Sequence, residues 1–334
     1  MGHKTFRVKN RSAWRGVLLG LVLGGLMLNM VITGSLWAEE FPAREIKLVV
    51  PLAPGGGVDV PARIFADKVA KILGVPVTVV NNTAGGGVAG ALSVVQAKPD
   101  GYTLLYSPSG AIITRELLNP DLPYRHTDFT AICHAIVMPV AIFVNHDASW
   151  KNLKELVDYG KKNPGQLRVS GATAGGFLQT ITDLFTATAG IDVTVIPSKG
   201  GVSQIASLMG GHAELCTDAF STSISFLRAG KIRALVSTHK IAGFPAIRTF
   251  EEEGYPQVNL KMWHGIFGPK NIPKNILAKL TDAFEKASKD QSLREQLGKL
   301  YIIPDYHGPE EAAKLVLSER EITSRILKKS GVIN

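Results

Sequence analysis

Short apolar runs alternate with segments of helical periodicity along most of this chain. The runs that predict strands are residues 46–50, 77–80, 103–106, 131–136, 140–144, 167–170, 193–196, 214–217 and 232–237. Helical patterns run to Leu73, follow Gly87, and cover residues 153–162, 177–189, 203–209, 221–229, 276–289 and 310–329. Continuous apolar strands between amphipathic helices are typical of an α/β fold, with parallel or mixed sheets flanked by helices.

Two apolar segments interrupt this alternation and indicate crossings between two lobes. Residues 138–144 leave the first series of strands and helices, and residues 263–269 introduce the last helices. We therefore predict a discontinuous first lobe of residues 39–143 and 265–334, and a second lobe of residues 144–264. The closing helices are expected to pack on the first lobe. The ligand cleft of such a fold lies between the lobes, at the carboxyl ends of the strands.

The first 38 residues have the pattern of an export signal. Five basic residues precede an uncharged apolar stretch from Gly16 to Ala38, and this order predicts a signal peptide cleaved near Ala38. A retained membrane anchor is the alternative, because about 20 apolar residues span a bilayer. Export predicts a periplasmic location. Cleavage leaves 32 basic against 28 acidic residues, so the net charge falls from +9 to +4.

The remaining composition argues against several classes of site. No basic patch with interleaved aromatic residues indicates nucleic-acid binding. The eight histidines are scattered without metal-ligand spacing, so no metal or cofactor is predicted. Cys133 and Cys216 lie in apolar runs, which favours buried free thiols, although a disulfide is the alternative in an oxidising compartment.

Glycine-rich turns between strands and helices supply the candidate chemistry. The first follows the strand at 46–50 and contains Pro54, Gly55, Gly56 and Asp59, and the second contains Ala84, Gly85 and Gly86. Such turns present backbone N–H groups at the positive end of a helix, where an anion binds. The first turn lacks the Gly-Lys-Ser/Thr ending of a P-loop and the spacing of a dinucleotide fingerprint. A small carboxylate is the expected occupant.

Two further turns of the same polarity extend the candidate site. One holds Ser107 and Ser109, and the other runs from Ser170 through Thr173 and Gly175 to Phe177. Short hydroxyls at such turns favour direct hydrogen bonds to a ligand. Asp59, in the first turn of a predicted helix, either shapes its loop or contacts the ligand.

Beyond these turns, the chain resembles the tripartite tricarboxylate transporter receptors, also called the Bug family, over nearly all of its length after the signal. The segments that carry the resemblance are Pro42-Ala43-Arg44-Glu45-Ile46, Val49-Val50-Pro51, Ala53-Pro54-Gly55-Gly56, Asn81-Asn82, Ala84-Gly85-Gly86-Gly87, residues 98–105, Lys199-Gly200-Gly201, Gly210-Gly211, Asp218, residues 229–235, and Trp263 with Gly265 and Pro269.

The resemblance implies a two-lobed periplasmic binding protein of type II, without catalytic activity, that delivers a small organic acid to one large and one small membrane subunit. It implies that the two glycine-rich loops hold the carboxylate and that Asp218 lies on the opposite wall. Phe177 departs from the family's usual polar residue and favours a monocarboxylate or aromatic acid over citrate-like ligands. The full candidate set is Leu52, Pro54, Gly55, Gly56, Asp59, Ala84, Gly85, Gly86, Ser107, Ser109, Ser170, Thr173, Gly175, Phe177 and Asp218.

Two other functions remain open from the sequence. A periplasmic sensor that signals to a membrane kinase would use the same cleft. A secreted hydrolase would need a serine nucleophile with a histidine base, but no Gly-x-Ser-x-Gly motif is present. The expected state of the protein is a monomer.

Overall fold

The computed structural model describes residues 1–2, 40–171, 177–198, 201–258, 260–329 and 333. Residues 1–43 and 44–334 are separate units, and the fold described here belongs to the second. Its strands are β1 (Ile46–Val50), β2 (Val77–Asn81), β3 (Thr103–Pro108), β4 (Phe129–Met138), β5 (Val140–Asn145), β6 (Leu167–Gly171), β7 (Val193–Pro197), β8 (Leu215–Ala219), β9 (Ile232–Ser237), β10 (Met262–Pro269) and β11 (Ile303–His307).

The helices connect these strands and cover both sheets. They are α1 (Asp59–Leu73), α2 (Val88–Val95), α3 (Ser109–Leu118), α4 (Leu153–Lys162), α5 (Phe177–Ala189), α6 (Val202–Met209), α7 (Phe220–Arg228), α8 (Lys274–Lys289), α9 (Gln291–Lys299) and α10 (Pro309–Lys329). Within the described residues, no helix is both long enough and apolar enough to span a membrane.

The strands form two mixed sheets. The first has the order β11-β4-β10-β3-β1-β2, with β1 parallel to β2 and β3. Strand β10 is antiparallel to β3 and β4, and β11 is antiparallel to β4. The second sheet has the order β7-β6-β8-β5-β9, in which β6 is parallel to β7 and β8, while β5 is antiparallel to β8 and β9.

Parallel pairing brings the candidate turns to one edge of each sheet. Strands β1, β2 and β3 end at Val50, Asn81 and Pro108, so the turns that follow them meet at the same edge. The turns after β6, β7 and β8 meet in the same way in the second sheet. This edge is where α/β sheets bind ligands, because helix N-termini and loop backbones gather there.

Two segments carry the chain between the sheets. Pro139 alone separates β4 of the first sheet from β5 of the second. On the return, Met262 packs against the core of the second sheet, whereas Phe267 of the same strand lies in the core of the first. Strand β10 is therefore both a crossing and a strand, because Met262 at its start and Phe267 further along it pack in different cores.

The last helix also serves both cores. Val316 of α10 is buried in the core of the first sheet, and Ile322 and Ile326 pack against the core of the second. The sequence analysis expected this helix to pack on the first lobe. Its apolar stripe extends further along the helix, and the additional turns contact the second sheet.

Both cysteines are buried free thiols. Cys133 lies in β4 and Cys216 in β8, strands that belong to different sheets. The prediction of free thiols is confirmed, and the disulfide alternative is wrong. Burial raises the pKa of both thiols above the ordinary value, so neither forms a thiolate readily.

Candidate ligand-binding site

The turn after β1 is organised around the carboxylate of Asp59. The amide of Gly55 donates to Asp59 Oδ2 at 2.8 Å, and Arg63 Nε donates to the same oxygen at 2.9 Å. Asn81 Nδ2, at the end of β2, donates to Asp59 Oδ1 at 2.8 Å. Only 2% of the Asp59 side chain is exposed. The carboxylate thus joins its own loop to the neighbouring strand.

These contacts keep Asp59 ionised. Burial alone would raise the pKa of Asp59, but the hydrogen bonds from Arg63, Gly55 and Asn81 outweigh it and hold the pKa below its ordinary value. With both oxygens occupied, Asp59 shapes the loop. Of the two roles open from the sequence, the geometry favours this one over direct ligand contact.

The same turn leaves other amides unpaired. Among the described residues, the N–H groups of Ala53, Gly57 and Val58 donate no hydrogen bond, whereas that of Gly55 is used by Asp59. Gly57 and Val58 immediately precede α1, so their amides add to the positive end of that helix. Gly57 and Val58 are absent from the set predicted by sequence, because only coordinates distinguish an occupied amide from a free one.

The second turn depends on glycine conformation. Residues Ala84–Gly87 form a 3₁₀ turn in which Gly85, Gly86 and Gly87 have φ values of 60°, 66° and 93°. These left-handed values exclude most other residues. A Cβ atom on Gly87 would lie 2.3 Å from the carbonyl oxygen of Pro51, so the first and second turns touch here backbone to backbone.

Two polar side chains hold the turns together from either side. Asn81 also donates to the carbonyl oxygen of Leu52 at 2.9 Å, and Arg115 of α3 donates to the carbonyl oxygen of Gly86 at 2.7 Å. Leu52, Pro54, Gly55, Gly56, Ala84, Gly85 and Gly86 are all exposed. The two glycine-rich turns therefore form one continuous, accessible backbone surface.

Both serines near the end of β3 are engaged elsewhere. Ser107 donates to the carbonyl oxygen of Pro108 at 3.1 Å, and Ser109 donates to Glu319 of α10 at 2.8 Å. Trp263 Nε1 donates to the other oxygen of Glu319. Burial raises the pKa of Glu319 to about 7, and these two hydrogen bonds offset only part of that shift. Ser109 thus ties the start of α3 to the last helix.

The second sheet presents buried polar atoms that lack partners. Ser170 is fully buried, and its hydroxyl has no hydrogen-bond partner among the described residues. The side-chain oxygens of Gln179 and Gln204 are likewise unpaired there, although Gln204 Nε2 donates to the Ser170 carbonyl oxygen at 2.9 Å. Buried polar atoms without partners are costly, which makes such a cluster a candidate for ligand contact.

Asp218 ends β8 in a buried position. Its Oδ1 accepts from the amide of Ala219 at 2.8 Å, and its Oδ2 accepts from Ser223 at 3.3 Å. Burial raises the pKa of Asp218 to about 6, and the two hydrogen bonds only partly oppose this shift. Asp218 is therefore an acid that takes up a proton in a range near neutrality.

Contacts near the crossing place the turn after β1 and the turn after β8 against the adjacent residues Met138 and Pro139. A Cβ on Gly57 would lie 3.5 Å from the terminal methyl of Met138, and the amide of Phe220, two residues after Asp218, donates to the Pro139 carbonyl oxygen at 2.8 Å. A Cβ on Gly110 would lie 3.8 Å from the Cβ of Phe177. Thr173 and Gly175 lie outside the described residues.

Comparisons with known proteins show the family of the chain. Residues 61–332 match the family described as "Tripartite tricarboxylate transporter family receptor". Protein BugT of Bordetella pertussis is 28% identical over 93% of this chain and 96% of its own length. The periplasmic binding protein BugD is 28% identical, with a TM-score of 0.73 over 88% of this chain and 99% of its own.

A third relative was solved with a ligand. MatC from Rhodopseudomonas palustris, with bound malate, is 29% identical, with a TM-score of 0.71 over 86% of this chain and all of its own. The match to the family covers well over half of the chain, and it confirms both the resemblance and the two-lobed periplasmic binding fold. The chain belongs to the tripartite tricarboxylate transporter receptor family of periplasmic solute-binding proteins.

Proposed function

We propose that this receptor binds the carboxylate of a small organic acid on the unpaired amides of Ala53, Gly57 and Val58, with the backbone of the second glycine-rich turn beside them. The observation that supports the proposal is that some amides of the first turn are occupied and others are unpaired. Asp59 occupies the amide of Gly55 and fixes the loop, and the neighbouring amides remain available at the start of α1. An anion there gains charge-assisted hydrogen bonds of about 1.5–3 kcal/mol each.

The second sheet selects the rest of the ligand in this proposal. Ser170 and Gln204 offer unpaired polar atoms, and Phe177 begins α5 beside Gly110 of the first lobe. The half-buried ring of Phe177 favours a ligand with an apolar body over a heavily charged one. MatC, which was solved with malate, supports a small carboxylate as the ligand class.

The working context follows from the family. We propose an exported receptor, cleaved near Ala38, that acts as a monomer and delivers its ligand to one large and one small membrane subunit. The absence of catalysis is part of the proposal, and it is supported by the serines: Ser107 and Ser109 donate to a carbonyl and a carboxylate, and neither donates to a histidine.

Isothermal titration calorimetry with malate, adipate, benzoate and citrate tests the proposal. We expect one acid with a small charge to bind one equivalent with micromolar or tighter affinity, which needs about 8 kcal/mol. Citrate is expected to bind at least tenfold more weakly. Binding of citrate in preference to the other three would contradict the role given to Phe177. No binding by any member of a wider panel of organic acids would contradict the function itself.

Loss of uptake of the identified acid on deletion of the gene separates transport from sensing. If uptake is unchanged and only a transcriptional response is lost, the receptor serves a sensor.

A further inference from the structure

Three side chains of metal-ligand type surround a cavity outside the ligand-binding site. His134 lies on β4, and Asp305 and His307 lie on the edge strand β11. One candidate ligand atom from each residue lies within 4.8 Å of the others. A cavity of about 200 Å³ adjoins the three, and its lining also includes Trp263 and Glu319.

Two of the three spacings between these atoms suit a small divalent ion. His307 Nε2 is 3.3 Å from Asp305 Oδ1, and His134 Nδ1 is 3.7 Å from Asp305 Oδ2. Tetrahedral Zn²⁺ with bonds of about 2.0–2.2 Å places neighbouring ligand atoms about 3.4 Å apart. The distances are long for hydrogen bonds but close to the edges of such a tetrahedron.

The ring nitrogens of His134 are buried without a hydrogen bond to any of the described residues. Its side chain is 1% exposed, and neither nitrogen has a hydrogen-bond partner there. The imidazole lines the cavity.

His307 is oriented by a carboxylate. Its Nδ1 pairs with Glu311 Oε2 at 2.9 Å, which leaves Nε2 directed toward Asp305. Histidines that bind metals commonly donate their second nitrogen to a carboxylate, which fixes the tautomer and the ring orientation. Glu311 is therefore a positioning residue for the group.

The pairing of β11 with β4 is irregular beside these three residues. Strand β11 pairs with β4 at Ile303, Pro304 and His307, with an irregularity between the last two, where Asp305 lies. An ion held by His134 and by both β11 residues would cross-link the edge strand to β4. The cavity leaves room for a water molecule as the fourth ligand. Its lining also contains the ammonium of Lys261 beside the Asp305 carboxylate.

We propose that His134, Asp305 and His307 bind a zinc ion that ties β11 to β4. The sequence analysis predicted no metal site because the two histidines come from strands far apart in the chain and show no local spacing. None of the three residues belongs to the candidate set for the carboxylate site, although Glu319 in the cavity lining accepts a hydrogen bond from Ser109 of that set.

Calorimetric titration of the purified protein with ZnCl₂ tests the proposal, with the protein free of any histidine tag and stripped of metal beforehand. We expect one equivalent to bind with micromolar or tighter affinity and to raise the unfolding temperature, because the ion binds the folded state. The absence of a single saturable site would overturn the proposal.

Single substitutions test which residues bind the zinc ion. His307→Ala should abolish zinc binding, and Glu311→Gln should weaken it by about 10- to 100-fold, because only the orientation of His307 is lost. His212→Ala, at an exposed histidine before β8, is the matched control and should bind as the parent does. Binding that survives His307→Ala, or that is lost in His212→Ala, would place the metal elsewhere and overturn the proposal.

Discussion

The turns at the edge of the first sheet and the buried polar residues of the second sheet differ in how many of their polar groups already have hydrogen-bond partners. In the first, three polar side chains are committed to one another: Asp59, Asn81 and Arg63 form mutual hydrogen bonds and fix a backbone surface. In the second, Ser170 and Gln204 are buried with unpaired atoms. Under the proposed function, the carboxylate of the ligand would meet a rigid, preformed surface, and the rest of the ligand would meet groups whose hydrogen bonds are still to be made.

The largest effect is expected where the two rigid turns touch. Gly87→Ala places a Cβ at 2.3 Å from the Pro51 carbonyl oxygen and holds alanine at φ 93°. We expect the free energy of unfolding to fall by about 2–5 kcal/mol, measured by urea denaturation. Gly55→Ala is the matched control, because its φ is 74° but nothing lies within 4 Å of the added carbon. It should cost about 1 kcal/mol. Equal losses in the two variants would contradict the interlock.

The next largest effect is expected from the replacement of Asp59, the carboxylate that fixes the first turn. Asp59→Asn removes the ion pair with Arg63 and turns an NH₂ group toward either Gly55 or Asn81. We expect a loss of about 1–3 kcal/mol in stability and at least tenfold in ligand affinity, measured by denaturation and calorimetry on the same samples. A variant with normal stability but no binding would indicate that Asp59 contacts the ligand directly.

The affinity for the ligand is expected to depend on pH through Asp218. The pKa of Asp218 is raised to about 6, so its protonated form predominates below pH 6 and its anion above. An anionic Asp218 repels a carboxylate ligand, and affinity should therefore fall by several-fold to about tenfold between pH 5 and pH 7.5. Asp218→Asn should remove that dependence in calorimetric titrations. The same slope in the variant would place the titrating group elsewhere.

The same shift affects stability with a defined sign. Because the folded pKa of Asp218 is raised, the folded state binds more protons than the unfolded state between about pH 4 and pH 6. The contribution of Asp218 to stability is fully present below that range and is lost as the pH rises through about 6. The difference in the free energy of unfolding between Asp218→Asn and the parent protein should therefore favour the variant more at pH 7.5 than at pH 4.

The smallest effect is expected at the wall of the second sheet. Ser170→Ala removes a buried hydroxyl that has no partner among the described residues, so stability should change by less than about 0.5 kcal/mol. Affinity for the identified acid should fall by about two- to tenfold, the value of one hydrogen bond. Gln204 keeps its bond to the Ser170 carbonyl in this variant. A clear loss of stability without loss of affinity would assign Ser170 a purely structural role.

Sequence patterns predicted the elements that form the sheet edges well. Apolar runs such as Ile46–Val50 fall within two residues of their strands, because continuous burial leaves a strong signal. Strand β11 (Ile303–His307) and the helices α3 (Ser109–Leu118) and α9 (Gln291–Lys299) were not predicted. Strand β11 contains a proline and is only half-buried, so its pattern resembles a loop.

The two glycine-rich turns were predictable from the sequence, but the hydrogen bonds within them were not. Glycine at Gly85 and Gly86 is required by left-handed backbone, which sequence indicates through composition. Which amide is free and which is occupied depends on where Asp59 points, and that is decided by Asn81 from another strand. Long-range partners of this kind leave no local signature, as the link between Ser109 and Glu319 also illustrates.

A crystal structure of the receptor with the acid identified by calorimetry tests the central claim most directly. The predicted result is a ligand carboxylate with its oxygens about 2.7–3.0 Å from the amide nitrogens of Gly57 and Val58, and Asp59 still bonded to Gly55. A carboxylate held instead by side chains of the second sheet, with those amides pointing to solvent, would contradict the account.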